Sequence, residues 1–220
     1  DPLADGLLTI ARMAHDSLLA SGGRFAPARL RLYGQLFSMR VTRRAGFDVG
    51  RFNALRSGAG AAWQDAEQQQ LAEGDDVRSL SPAVLLIDLD LSAPEQWEAT
   101  ASIGGLVRDV SATVGRDGVL NSLVYWSELH MPSGRVVSLG PRSGADDALP
   151  PRPLCVRARR QRVLHLPYER AVVAGEHVWL TLRLDDASVH LDAPLPPPVP
   201  VAPSAALSRH ALDELHGRAV

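Results

Sequence analysis

Lysine is missing altogether: all 23 basic residues of the 220 are arginine. Without lysine there is no GxxxxGK[ST] phosphate loop, and no strand-like run leads into GxGxxG. Asparagine is scarce while Ala, Gly, Pro and Arg are abundant, the residue usage of a GC-rich genome. Cys155 is the single cysteine, which excludes an internal disulfide and a thiolate metal cluster within one chain. The seven histidines show no HExxH or other ligand spacing, and no GxSxG elbow or Cys–His pairing occurs. No apolar run approaches the ~18 residues of a membrane span, and nothing resembles a signal peptide. Aromatics are only 5% of the chain, too few near its basic stretches for a base-stacking platform. A formal net charge of −2 supplies no general attraction to nucleic acid or anionic lipid. The expectation is a protein of a reducing compartment, cytoplasmic or nuclear, with no membrane and no direct nucleic-acid partner.

What is present is mostly strand. Leu7, Leu8, Ala11, Ala14 and Leu18 recur at helical spacing, and Gly22-Gly23 predicts the end of that helix. Pro27 blocks its resumption, and Leu30, Leu32, Gly34 and Leu36 then alternate with Arg29, Arg31, Tyr33 and Gln35, predicting a half-buried strand over 29–42. Between Gly50 and Gly74, Phe52, Leu55, Ala59, Trp63, Ala66 and Leu71 lie near helical spacing. Gly58 and Gly60 weaken that helix by roughly 1 kcal/mol each. This stretch interrupts a strand series and predicts a helical excursion from the main body.

Strand patterning resumes at Ser79. In 84–91, Leu85, Ile87, Leu89 and Leu91 alternate with Asp88 and Asp90, the pattern of a sheet with one wet face. Further strands are predicted over 97–114 with a kink at Gly104-Gly105, then over 119–130, 135–139, 156–166, 176–184 and 189–191. About eight strands of this kind call for a sandwich or closed barrel. Six of the 16 prolines fall between Pro194 and Pro203, which reads as an extended linker before a short helix with Leu207, Leu212 and Leu215. The Arg152, Arg157, Arg159, Arg160, Arg162 cluster reads as a charged strand edge or as a site for an acidic partner. Trp97, Trp126 and Trp179 read as core, and Trp63 as an interface residue.

In order and spacing these segments resemble the C-terminal half of a protein arginine N-methyltransferase, closest to the monomethylating (type III) branch. ADGLLTIARMAHDSLLASGGRFAPARLRLYGQL is similar to that family's passage from the double-glutamate loop through a helix to the first barrel strand. Phe47-Asp48 and the excursion resemble its "GFD" and dimerisation arm, and Arg78 to Pro82 the arm's return. Arg116-Asp117-Gly118 to Trp126 looks like a hairpin strand of the barrel. Gln161 to Pro167 and Val172 to Asp186 resemble its closing hairpin.

The resemblance implies a mainly β fold: a β-barrel of about eight or more strands, with an N-terminal helix and an inserted helical arm. Residues 1–21 would end an S-adenosylmethionine-binding Rossmann-like domain, 22–193 form the barrel with its arm at 49–78, and 194–220 the linker and tail. It implies S-adenosylmethionine as cofactor, bound mostly outside this chain, and arginine-containing proteins as substrates. Self-association would run through Phe52, Leu55 and Trp63 of the arm, giving a homodimer or a tandem copy of the module. Asp5 falls where the second substrate-gripping glutamate is expected and is the catalytic candidate. Arg159, Arg160 and Gln161 fall at the loop that lines the arginine pocket, where the family's Thr-His-Trp is replaced by Arg157-Ala158-Arg159-Arg160. Two functions follow: the barrel portion of a protein arginine methyltransferase, or a degenerate, non-catalytic barrel serving dimerisation or substrate-protein binding.

Overall fold

A computed structural model describes residues 2–3, 5–40, 43–44, 47–48, 50–52, 67–69, 77–101, 105–141, 161–185 and 188–193. Helix α1 (Leu7–Met13) runs into a π-helical turn, Ala14–Leu18, and stops at Leu19, which is extended. The helix thus ends before Gly22, whose positive φ of 78° serves the following turn. Leu18, read as part of the buried stripe, is 76% exposed, because the wider π turn rotates it off that face.

Strand β1 (Arg29–Met39) follows, with Leu30, Leu32, Gly34 and Leu36 buried and Arg29, Arg31, Tyr33 and Gln35 half-buried, as the alternation predicted. Two short pieces, β2 (Arg43–Arg44) and β3 (Phe47–Asp48), pair with each other, and a 3-10 turn spans Gly50–Phe52. Within the stretch expected to be helical, Glu67–Gln69 is instead a strand, β4, paired with the start of β10. Free backbone groups on a sheet edge recruit a short extended segment more readily than a glycine-interrupted helix forms. The rest of that excursion, Leu55 and Trp63 included, lies outside the described residues, as do 194–220.

Strand β5 (Val77–Ser79) and strand β6 (Val84–Asp90) both pair with β1. The register slips between Leu32↔Ile87 and Tyr33↔Leu85, leaving Leu86 as the extra residue of a bulge. Leu86 is therefore fully buried, and Leu85, expected beside Ile87, stands opposite Tyr33.

Trp97 does not begin a strand. It sits between two 3-10 turns (Pro94–Gln96 and Glu98–Ala101), buried, with its indole Nε1 donating to the Asp90 carbonyl at 3.0 Å. Strand β7 starts only at Leu106 and runs to Thr113. Next come β8 (Gly118–His130), β9 (Val136–Ser138), β10 (Gln161–Val172), β11 (His177–Leu184) and β12 (Val189–Asp192).

All ladders are antiparallel. The order β4-β10-β8-β1-β5, with β6 also on β1 and β9 on β8, makes a curled seven-stranded sheet; β12-β11-β7 makes a second, three-stranded one. Together they form a half-barrel around one apolar core. That core takes Leu30, Leu32 and Leu36 from the large sheet, Val178, Leu180, Leu182 and Leu184 from the small one, and Leu3, Leu8 and Ala11 from the helical segment. The reverse face of the large sheet carries a second cluster around Phe37, Met39, Val124, Trp126 and Val163. Strand β8, central and covered on both sides, is accordingly buried without a break from Leu120 to Ser127.

Trp179 departs from expectation. Val178, Leu180, Leu182 and Leu184 take the inward face of β11, so Trp179, one residue out of phase, faces away from the core and is 59% exposed.

Candidate functional site

Asp5 lies on an exposed turn that the backbone holds in place. Gly6 N–H donates to the Leu3 carbonyl and Leu7 N–H to the Pro2 carbonyl, both at 3.0 Å, and Gly6 adopts φ 80°. Leu3 before the turn and Leu8 after it are fully buried, so Asp5, itself exposed, sits on a pinned loop. The helix behind it is tied to the half-barrel at two places. The Arg12 guanidinium lies over the Trp97 ring at 5.1 Å and donates to Thr100 Oγ1 at 3.3 Å. His15 Nε2 meets the Leu91 carbonyl at 2.7 Å.

Gln161 opens β10 and is buried, with its amide donating to the Leu139 carbonyl at 2.8 Å. It shares a face with Val163 in the second cluster, whereas the Asp5 segment packs into the first. Gln161 thus lies on the reverse face of the large sheet, and the Asp5 segment packs against its inner face. Arg159 and Arg160 lie outside the described residues, and of Phe52 only the backbone, in its 3-10 turn, is described.

A charged group that sequence reading left as a wet face becomes a network in the fold. Cross-strand register lines up Asp90–Arg29–His130 and Asp88–Arg31–Glu128 on the reverse face of the large sheet. Asp88 Oδ2 accepts from Arg31 Nε at 3.0 Å and from Arg29 Nη1 at 3.1 Å. The Asp88 hydrogen bond, and then its charge, raise the Arg31 pKa above its ordinary value. Asp88 Oδ1 and His130 Nε2 are buried without a hydrogen-bond partner. In sequence the signal is the pair of alternations RLRL and DLDL; only the register makes them neighbours.

The described residues do not fit S-adenosylmethionine. Every ladder is antiparallel, and no strand passes through a glycine turn into a helix whose N-terminus could cradle a nucleoside. No group of three or more His, Cys, Asp or Glu among them could hold a metal ion.

No family model matches the chain. Over 149 residues it is 32% identical to an arginine N(omega)-methyltransferase of Streptomyces achromogenes subsp. streptozoticus, a match covering 63% of this chain and 37% of that protein. Its structure is similar to a chain of the Trypanosoma brucei PRMT1 enzyme–prozyme heterotetrameric complex with AdoHcy, at TM-score 0.52 and 17% identity. That similarity covers 87% of this chain and 61% of the other. The chain thus spans less than two thirds of the length of either protein. The sequence match supports kinship with the arginine methyltransferases, and the structural match extends to most of the described fold.

Proposed function

We propose that this chain is the barrel portion of an S-adenosylmethionine-dependent arginine N-methyltransferase. In this reading residues 1–21 close a donor-binding domain, and residues 22–193 form a barrel completed by segments beyond those described. The observation that carries it is the 149-residue match to an arginine N(omega)-methyltransferase. The fold shared with a chain of the PRMT1 enzyme–prozyme complex supports it.

Asp5 is the residue of this chain assigned to the substrate. An exposed carboxylate on a pinned turn can accept two N–H bonds from a guanidinium, and such a pair sets direction as well as affinity. Holding a flat cation in one orientation is what positions a particular nitrogen for methylation. The donor supplies the methyl group from residues outside the described fold, and the chain's own part is to bind and orient. Arg159 and Arg160 are assigned to the rim of the arginine pocket, while Gln161, buried on the reverse face and bonded to the Leu139 carbonyl, is assigned to holding the start of β10 beneath them. Phe52, Leu55 and Trp63 are assigned to self-association through the arm.

Two substrate sources are in play, arginine within proteins and arginine itself. The second is favoured by the description of the relative, which names arginine without a protein. The test is methyl incorporation from labelled S-adenosylmethionine by the longer polypeptide that carries this chain, offered free L-arginine or an arginine peptide. Labelled Nω-methylarginine from either supports the reading and names the source. No label in either, with donor binding intact, would leave the non-catalytic barrel.

A further inference from the structure

We propose that Trp179 is the docking site for the chain's own proline-rich segment, which lies against the outward face of the three-stranded sheet as an extended strap. Trp179 stands on the middle strand of that sheet and is 59% exposed, a large apolar surface left to water. Its neighbour on β7 is Ser111, too small to cover an indole. On the β12 side the last pair of the ladder is Thr181↔Asp192. Two residues further on, the same register sets Pro194 opposite Trp179. Side chains alternate along β12: Leu191 and Ala193 are buried and Asp192 is exposed. Position 194 therefore falls on the outward face, where residues directly opposite each other stand about 5 Å apart.

The point at which the segment leaves the fold is fixed. Ala193 is buried, and its carbonyl accepts a hydrogen bond from the Tyr168 hydroxyl. Pro194 has no N–H, so it cannot donate to a further rung of the β11–β12 ladder. The chain thus reaches the flank of the indole extended but unable to continue as strand. Pro194, Pro197, Pro200 and Pro203 then recur at every third residue. Three residues make one turn of a polyproline II helix, so these four line a single edge of it. One turn advances about 9 Å, and Pro194 and Pro197 bracket the ring. Proline rings dock on aromatic side chains at low entropic cost, because the polyproline conformation is set in advance. No linker separates this segment from Trp179, so docking within the chain outcompetes the same chemistry offered by a second copy or another protein.

The contact goes beyond methyl transfer and does not rest on it. The test is the indole N–H magnetic resonance spectrum of the isotope-labelled 220-residue chain, in which the signal lost in Trp179→Phe is that of Trp179. Pro197→Ser with Pro200→Ser should shift the Trp179 signal. The signals of Trp97 and Trp126, one from each apolar cluster, should stay in place and show the variant folded. Pro196→Ser with Pro198→Ser leaves the docking edge intact and should shift the Trp179 signal less. A free peptide of residues 194–203 should leave the parent spectrum unchanged and return the Trp179 signal of the first variant toward its parent position. A Trp179 signal indifferent to Pro197→Ser with Pro200→Ser overturns the proposal. So does one that moves when the peptide is added to the parent, since the face would then be open to another occupant. A signal that changes on dilution, in step with the mass seen in sedimentation, also overturns it, by making the strap a contact between copies.

Discussion

Leu86 lies so close to Gly34 that a Cβ at position 34 would stand 2.9 Å from Leu86 Cδ1. The bulge on β6 turns Leu86 into the core, and the bare backbone of Gly34 is what leaves it room. Gly34→Ala should gain about 0.5–1 kcal/mol from lower backbone entropy and lose about 1–3 kcal/mol to overpacking. The clash wins, because Leu86 is fully buried and has nowhere to swing. Urea denaturation should show a lower midpoint for Gly34→Ala, part of it restored by adding Leu86→Val.

Asn121 continues a ladder that the backbone abandons. The β1–β8 register ends at Phe37↔Ser122, and beyond it Asn121 Oδ1 accepts from Met39 N–H at 2.9 Å while Nδ2 donates to the Met39 carbonyl at 3.1 Å. Asn121→Ala removes these two buried hydrogen bonds and a third that Oδ1 accepts from Ser122 Oγ at 3.2 Å, and should cost about 2–3 kcal/mol. Asn121→Asp keeps the acceptor but turns the donor into a charge facing a carbonyl, so it should cost at least as much. Thermal melts that rank either variant with the parent would contradict this role.

Trp97 and Arg12 join the helix to the half-barrel. Trp97→Ala should cost about 3–5 kcal/mol as a buried aromatic is removed. Arg12→Ala should cost at least about 1 kcal/mol, since the stacked cation and the Thr100 bond are among the interactions it loses. Helix amides should exchange faster in Arg12→Ala while those of β8 keep their protection. Uniform loss across both would mean that the helix has no separate anchor.

Stability should fall on the alkaline side. Burial raises the Tyr125 phenol above its ordinary value, against the opposing charge of Arg162. Burial also raises Tyr168, with Asp192 adding to it and Arg170 opposing. A group whose folded pKa is raised contributes stability that is whole below the unfolded value, near 10, and is lost as pH climbs through the folded value. Each such phenol contributes a slope of at most about 1.4 kcal/mol per pH unit in that window. The urea midpoint should drop as pH climbs above about 10, and Tyr125→Phe should flatten the drop.

Asp5→Asn tests the site apart from the fold. Asp5 is exposed, and the melting temperature of the variant, measured alongside, separates a loss of fold from a loss of activity. Under the methyltransferase function proposed above, Asp5→Asn should lower methyl transfer to arginine by about 100-fold or more. An unchanged rate would take Asp5 out of the substrate's reach.

Much of the large sheet was legible in one dimension, because a half-buried strand repeats its chemistry every second residue. Leu30 to Leu36 and Val178 to Leu184 follow that rule in the fold. The helical reading of 50–74 failed at Glu67–Gln69, where the partner that makes a strand lies almost a hundred residues away. Trp97 misled for a different reason: a large apolar residue beside strand-like sequence can be buried equally well from a connecting turn. Asp5 is singled out by the resemblance alone, and its exposure on a pinned turn is a property of the fold.

By itself the sequence determined which residues alternate, where chain-breaking glycines and prolines fall, and that the protein is built mainly of strands. Those are local properties, set by dihedral preference and by the period of apolar side chains. Only the tertiary structure decided register: that Arg31 meets Asp88, that Leu86 rather than Leu85 enters the core, and that Trp179 faces outward. A slip of one residue reverses every side chain of a strand, and contacts between segments distant in sequence are what fix that choice.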